Sequence, residues 1–221
     1  MRKMIAEQVQ LGHHGFFSRP VFPRSDQNLL ETLFAVFSEC DPNLTVADIR
    51  QEWGAPSVGD WSFTVHLFNY SANYKFKLDR IEARFNDFTE DQRSLIPQVL
   101  QSGDRWLRSL DSQFSFRLQL FTHSSHNRLS QGTSEEFLKS LSSIDIPDIG
   151  MNRGHGILFN WLVGERKWNF QLSIDHSLQI PDGLFLQLLF RMADDKIDYE
   201  EALESGLKLG RSALAKIGLE V

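Results

Sequence analysis

The residues of this chain best suited to chemistry are His13, His14, His66, His123, His126, His155, His176 and the only cysteine, Cys40. His123 and His126 form an H-x-x-H pair, a spacing that lets two imidazoles share a metal ion on a helix. Ser124, Ser125 and Asn127 around them read as an exposed loop, and no acidic ligand follows closely. The pair is the metal-site candidate, with a polar loop as the competing reading. His13-His14-Gly15 falls in an N-terminal segment, 1–24, read as flexible and without a carboxylate or cysteine companion. Cys40 follows the apolar face of a predicted helix, where a free thiol behaves as a small hydrophobe. No neighbouring His or Asn equips it as a nucleophile.

Asp175-His176 would make an acid/base pair only with a nucleophile from elsewhere, because adjacent strand residues point to opposite faces. Ser173 shares the face of Asp175, not that of His176, so no triad forms there. The chain has no G-x-S-x-G elbow, phosphate-binding G-x-x-x-x-G-K-[ST] loop, H-E-x-x-H helix or dinucleotide fingerprint. The glycine-rich stretch Gly150 to Gly156 leads into a strand rather than a helix N-terminus, so it reads as a mobile connection carrying Arg153. Asp194, Asp195, Asp198, Glu200, Glu201 and Glu204 cluster at the start of a predicted helix, where carboxylates face the positive end of its dipole. No catalytic residue is assigned and no cofactor is expected. Arg80, Arg84, Arg117 and Arg153 are the candidates for contact with an acidic protein partner, against the default of solvated faces.

These residues must be positioned by elements that the apolar periodicity marks out. Leu29, Leu30, Leu33, Phe34, Val36 and Phe37 recur at helical spacing, with Ser25 and Asp26 as caps. Val46, Ile49 and Trp53 suggest a second helical turn. Alternation over Trp61 to Tyr70 and Tyr74 to Leu78 predicts a hairpin turning at Ser71-Ala72-Asn73, and Ile81 to Phe85 predicts a further strand after a break near Asp79-Arg80. The capping box Thr89-Glu90-Asp91-Gln92 opens a long helix through Trp106 and Leu110, with Pro97 near its first turns. Phe114 to Leu120 is a strand, Thr122 to Gly132 a loop, and Ser134 to Leu141 a short helix. Ile157 to Val163 and Trp168 to Ile174 predict a second hairpin, Leu184 to Phe190 another strand, and Tyr199 to Ile217 a terminal helix capped by Asp198.

Helices interleaved with hairpins give an α+β fold: antiparallel sheet with helices packed on one face. The expected organisation is the segment 1–24 followed by one domain, 25–221, in which 25–132 and 133–221 are candidate pseudo-repeats. With 221 residues, 41% of them hydrophobic and 24% charged, the chain can bury a sizeable core. A net charge of -6 without a basic block makes nucleic acid an unlikely main partner. The start MRKMIAEQVQ lacks a signal-like apolar core, and the longest apolar stretch, Leu184 to Met192, is broken by Gln187 and Arg191. It falls short of the roughly 20 residues of a membrane-spanning helix. The expectation is a cytoplasmic protein with no membrane partner.

The run YKFKLDRIEARFNDFTEDQ, the Trp106 helix, the strand FSFRLQLF and the end GLFLQLLFRMADDKIDYEEALESGLKLG together resemble a family of uncharacterised bacterial proteins. The resemblance extends from about Leu29 onward. Where that family carries an Arg-Tyr-Asn-type signature, this chain has Thr122-His123-Ser124. The family has no established activity, so the resemblance implies a bacterial α+β protein of accessory character. The leading expectation is a non-enzymatic interaction module, an accessory or sensor subunit that binds another protein subunit or a second copy of itself. The alternatives are a small-molecule binder with a pocket lined by some of the 18 Phe and 5 Trp, and an enzyme built on His123 or His126.

Overall fold

Alternating apolar residues in this chain build strands that pair, among the described residues, into a largely antiparallel sheet of ten accompanied by four α-helices, an α+β fold. The computed structural model describes residues 1–22, 28–52, 61–89, 92–141, 156–164, 168–193 and 197–220. The strands are β1 (Arg2–Phe17), β2 (Ile49–Glu52), β3 (Ser62–Leu67), β4 (Ala72–Lys77), β5 (Arg80–Asn86), β6 (Phe116–Leu129), β7 (Ile157–Val163), β8 (Trp168–His176), β9 (Leu184–Met192) and β10 (Leu219–Glu220). The helices are α1 (Leu29–Phe37), α2 (Leu95–Leu110), α3 (Ser134–Leu141) and α4 (Tyr199–Lys216). Two compact units share the chain, one of Met1–Gln10, Thr122–Phe190 and Leu203–Val221, the other of Leu11–Phe121 and Arg191–Ala202.

In the second of these units β2, β3, β4 and β5 are successive antiparallel neighbours, with Val65 opposite Tyr74 and Phe76 opposite Ile81. Their inward residues meet α1 and α2 in an aromatic core: the Trp106 ring stands edge-on to Phe76 at 4.8 Å, and Phe37 lies 5.0 Å from Tyr74. Trp106 donates its indole N–H to Thr32 Oγ1 at 3.1 Å, so the large apolar ring is buried without an orphaned donor. α1 begins at Asn28, whose side chain accepts the Glu31 N–H; the expected caps Ser25 and Asp26 lie outside the described residues. Pro97 sits in the first turn of α2, where its missing N–H costs nothing. The β3–β4 turn runs through Phe68, Asn69 and Tyr70, all left-handed with φ of 52°, 53° and 69°.

In the first unit β8 lies between β7 and β9, and β9 adjoins β6. Phe170, Leu172, Ile174, Leu186 and Phe190 are buried, and Trp168 meets Phe190 edge-on at 5.1 Å. Gly210 brings α4 onto Leu188 so closely that a Cβ there would overlap the leucine methyl. β10 pairs in parallel with β1, Arg2 opposite Leu219.

Four local expectations are corrected. The β3–β4 turn is not at Ser71-Ala72-Asn73 but at Phe68 to Tyr70, since Ala72 and Asn73 of β4 already pair with Leu67 and His66 of β3. The segment around His13-His14-Gly15 is not flexible but the inner part of β1, where His13 is buried. Val46–Asp48 is a single 3-10 turn, after which Ile49 enters β2 instead of a second helical turn, because backbone pairing with β3 outcompetes local propensity. Thr122 to Leu129 is not a loop but the second half of β6. Two of its polar residues are buried, Ser125 and Asn127: Asn127 Nδ2 donates to Ser125 Oγ at 2.8 Å, while Asn127 Oδ1 has no hydrogen-bond partner among the described residues.

Candidate functional site

β7 ends the strand order among the described residues, with β8 as its hydrogen-bonded neighbour. Its seven residues, Ile-Leu-Phe-Asn-Trp-Leu-Val, include no charge and no proline. The register with β8 assigns its two faces. Ile157, Phe159, Trp161 and Val163 stand opposite Ile174, Leu172, Phe170 and Trp168 and extend the apolar layer. Trp161 stacks on Phe159 with ring centroids 5.6 Å apart and planes 13° from parallel, and lies 5.4 Å from Phe170. On the other face Leu158, Asn160 and Leu162 stand opposite Ser173, Gln171 and Asn169. Two leucines therefore project from an otherwise polar face, Leu158 56% and Leu162 70% exposed, while Trp161 on the apolar face is 39% exposed.

The strand at the other end of the order is built differently. β2 has only four residues, and Arg50, Gln51 and Glu52 are exposed. Glu52 accepts Lys75 Nζ at 2.8 Å. Short length and charge blunt an edge against further pairing, whereas an uncharged seven-residue apolar edge presents alternate N–H and C=O groups to a new strand. β7 has the chemistry of a strand that accepts a neighbour.

A second feature is a cleft of about 600 Å³ within the Leu11–Phe121 and Arg191–Ala202 unit. Cys40, Ser102, Asp104, Arg105 and Tyr199 contribute to its lining. The Arg105 guanidinium donates to Glu39 at 2.7 Å and to Ser102 Oγ at 3.0 Å, and Ser102 Oγ lies 3.2 Å from Cys40 Sγ. Burial pushes the Cys40 thiol up, opposed by its hydrogen bond with Ser102, so the thiolate is disfavoured. Tyr199 donates its hydroxyl to Asp104 at 2.8 Å, and burial followed by the Asp104 charge raises its pKa well above that of a free tyrosine. This is a polar cleft with one aromatic wall.

The residues singled out from the sequence fall elsewhere. His123 and His126 are both in β6, where positions three apart point to opposite faces, so the spacing that would share a metal on a helix separates them here. His126 Nδ1 is instead 2.8 Å from Ser177 Oγ. No cluster of three metal-ligating side chains occurs among the described residues. Arg80 and Arg84 alternate with Glu82 on the outward side of β5, and Arg117 is exposed on β6. Arg80 is engaged by its own strand: Nε donates to Glu82 at 2.8 Å and the guanidinium reaches Asp79 at 3.1 Å. Burial raises the Glu82 carboxyl, yet hydrogen bonds from Arg80 and Lys77 prevail and hold it at about 2. Arg153 lies outside the described residues. His176 Nδ1 is 2.8 Å from Ser134 Oγ, a link between β8 and α3.

No protein-family model and no curated protein matches this chain. The β7 edge was missed as a site because an alternating strand read as core-forming. The signal was nonetheless present: both residue parities of Ile157 to Val163 carry large apolar side chains, more than one buried face can use.

Proposed function

We propose that this chain is a non-enzymatic interaction module that joins another polypeptide by strand addition at β7. The observation that carries this reading is the contrast between the two ends of the strand order: β2 is short and charged, whereas β7 is longer, uncharged and carries large apolar side chains on both faces. Strand addition draws affinity from main-chain hydrogen bonds and selectivity from alternate side chains. Leu158 and Leu162, both exposed on the face of β7 that the register with β8 leaves otherwise polar, supply that second element. In keeping with the resemblance noted above, the module acts as an accessory or sensor subunit of a bacterial, cytoplasmic assembly. No described helix is long and apolar enough to cross a membrane.

A photo-crosslinking side chain at position 160, compared with one at Leu178, tests the reading in cells producing the protein. Leu178 is 97% exposed and outside the edge, so it reports random collision. A polypeptide adduct at position 160 and not at 178 is the expected result; equal labelling at the two positions would overturn the reading. The polar cleft favours a second reading, a small-molecule binder, through its converging Asp104, Arg105, Ser102 and Tyr199 groups. A metabolite that raises the melting temperature of the native chain but not of Arg105→Ala would support that reading.

A further inference from the structure

We propose that the strand added at β7 is β7 of a second copy, paired antiparallel about a two-fold axis at Asn160. This rests on the interaction reading above and names its partner. The sequence of β7 is a chemical palindrome: Ile-Leu-Phe-Asn-Trp-Leu-Val reversed gives Val-Leu-Trp-Asn-Phe-Leu-Ile. Antiparallel pairing centred on residue 160 sets Ile157 opposite the partner's Val163, Leu158 opposite the partner's Leu162 and Phe159 opposite the partner's Trp161. Each pair joins like with like.

An isologous interface requires one patch to complement itself, which a strand chosen for a foreign partner need not do. The centred register also keeps the faces aligned. Leu158 and Leu162, exposed beside Ser173, Gln171 and Asn169, are each covered by the partner's leucine, and the Phe159–Trp161 stack continues into the partner's stack. Asn160 meets itself, and a primary amide offers both donors and an acceptor to an identical group. A slip of two residues would set Asn160 against leucine, and a slip of one would exchange the faces. The uncharged strand brings no like charges together at the contact.

Light scattering on the purified native chain at micromolar concentration is expected to give twice the 25.5 kDa of one chain. Leu162→Lys is expected to give the mass of one chain with an unchanged circular dichroism spectrum, since Leu162 is already 70% exposed within one copy, and a melting temperature that no longer rises with protein concentration. Disulfide trapping in a Cys40→Ser background reads the register. Asn160→Cys is expected to dimerise covalently, Leu158→Cys and Leu162→Cys to join each other when mixed, and neither of those to join itself. A single-chain mass for the native protein, a dimer indifferent to Leu162→Lys, or self-trapping of Leu158→Cys would each overturn the inference. A crosslink from position 160 to a foreign polypeptide, with a monomeric purified chain, would overturn the second copy while leaving the interaction reading standing. Absence of any specific adduct would overturn both.

Discussion

His13 is a base kept in its neutral form by its surroundings. Its ring lies 4.6 Å from that of Phe121 and 5.5 Å from that of Tyr199, and Nε2 meets Gln119 Oε1 at 3.0 Å. Burial, only partly offset by the Gln119 hydrogen bond, brings its pKa down to about 3. Below about pH 6.5 the unfolded chain takes up a proton that the folded chain refuses, so stability present above 6.5 is lost as the pH falls toward 3. The limiting slope is about 1.4 kcal/mol per pH unit. His13→Gln, which keeps a donor for Gln119, is therefore expected to flatten the dependence of unfolding free energy between pH 6.5 and 5. Glu82 does not confuse that window. Its depressed pKa stabilises the fold above about 4.5, with the loss confined to lower pH. Asp41 works by a different means: buried, it accepts the Asn43 N–H at 3.1 Å and the Phe68 N–H at the head of the left-handed turn. Asp41→Ala orphans both donors and should cost about 2 kcal/mol in urea unfolding, with Asp41→Asn recovering part of the loss.

At the scale of elements, the packing of α2 on β4 makes an unusual demand on Gly103. A Cβ at that position would overlap the Tyr74 ring, whose hydroxyl is buried without a hydrogen-bond partner among the described residues. Alanine gains about 1 kcal/mol of helix propensity, but overpacking of this kind costs about 1–3 kcal/mol. Gly103→Ala is expected to lower the unfolding midpoint, against the propensity scale, and a rise would show that β4 yields easily. Elements whose periodicity matched their burial were legible in the sequence: the β3–β4 and β7–β8 hairpins, β5, β9 and all four helices. β1 was not, because burial alternates only from His13 onward, while residues 5 to 10 are largely exposed. The second half of β6 was not, because its buried positions include Ser125 and Asn127, polar residues whose mutual hydrogen bond no local hydrophobic pattern announces. Of the candidate sites, local spacing exposed the histidines but could not show that β6 would part them. The role of β7 as the last strand depends on pairings among distant segments that no local pattern encodes.

At the scale of the whole molecule, each copy carries a net charge of -6, while the proposed contact strand carries none. Long-range repulsion therefore opposes self-association, and salt screens it over a Debye length of about 10 Å at 0.1 M. Dimerisation through β7 is expected to strengthen as salt rises, measured by sedimentation across a salt series. Weakening with salt would point to a contact made by ion pairs, such as one through Arg84 or Arg117. The parallel pairing of β1 with β10 has a consequence for synthesis. Arg2 donates its N–H to Gly218 O at 2.7 Å, and Met4 and Leu219 are both buried. With roughly 200 residues between these partners and translation at about 5–20 residues per second, β1 waits on the order of ten to forty seconds for the strand it pairs with. Throughout that interval the beginning of β1 is a nascent strand without its β10 neighbour, so this pairing is among the last to form during synthesis.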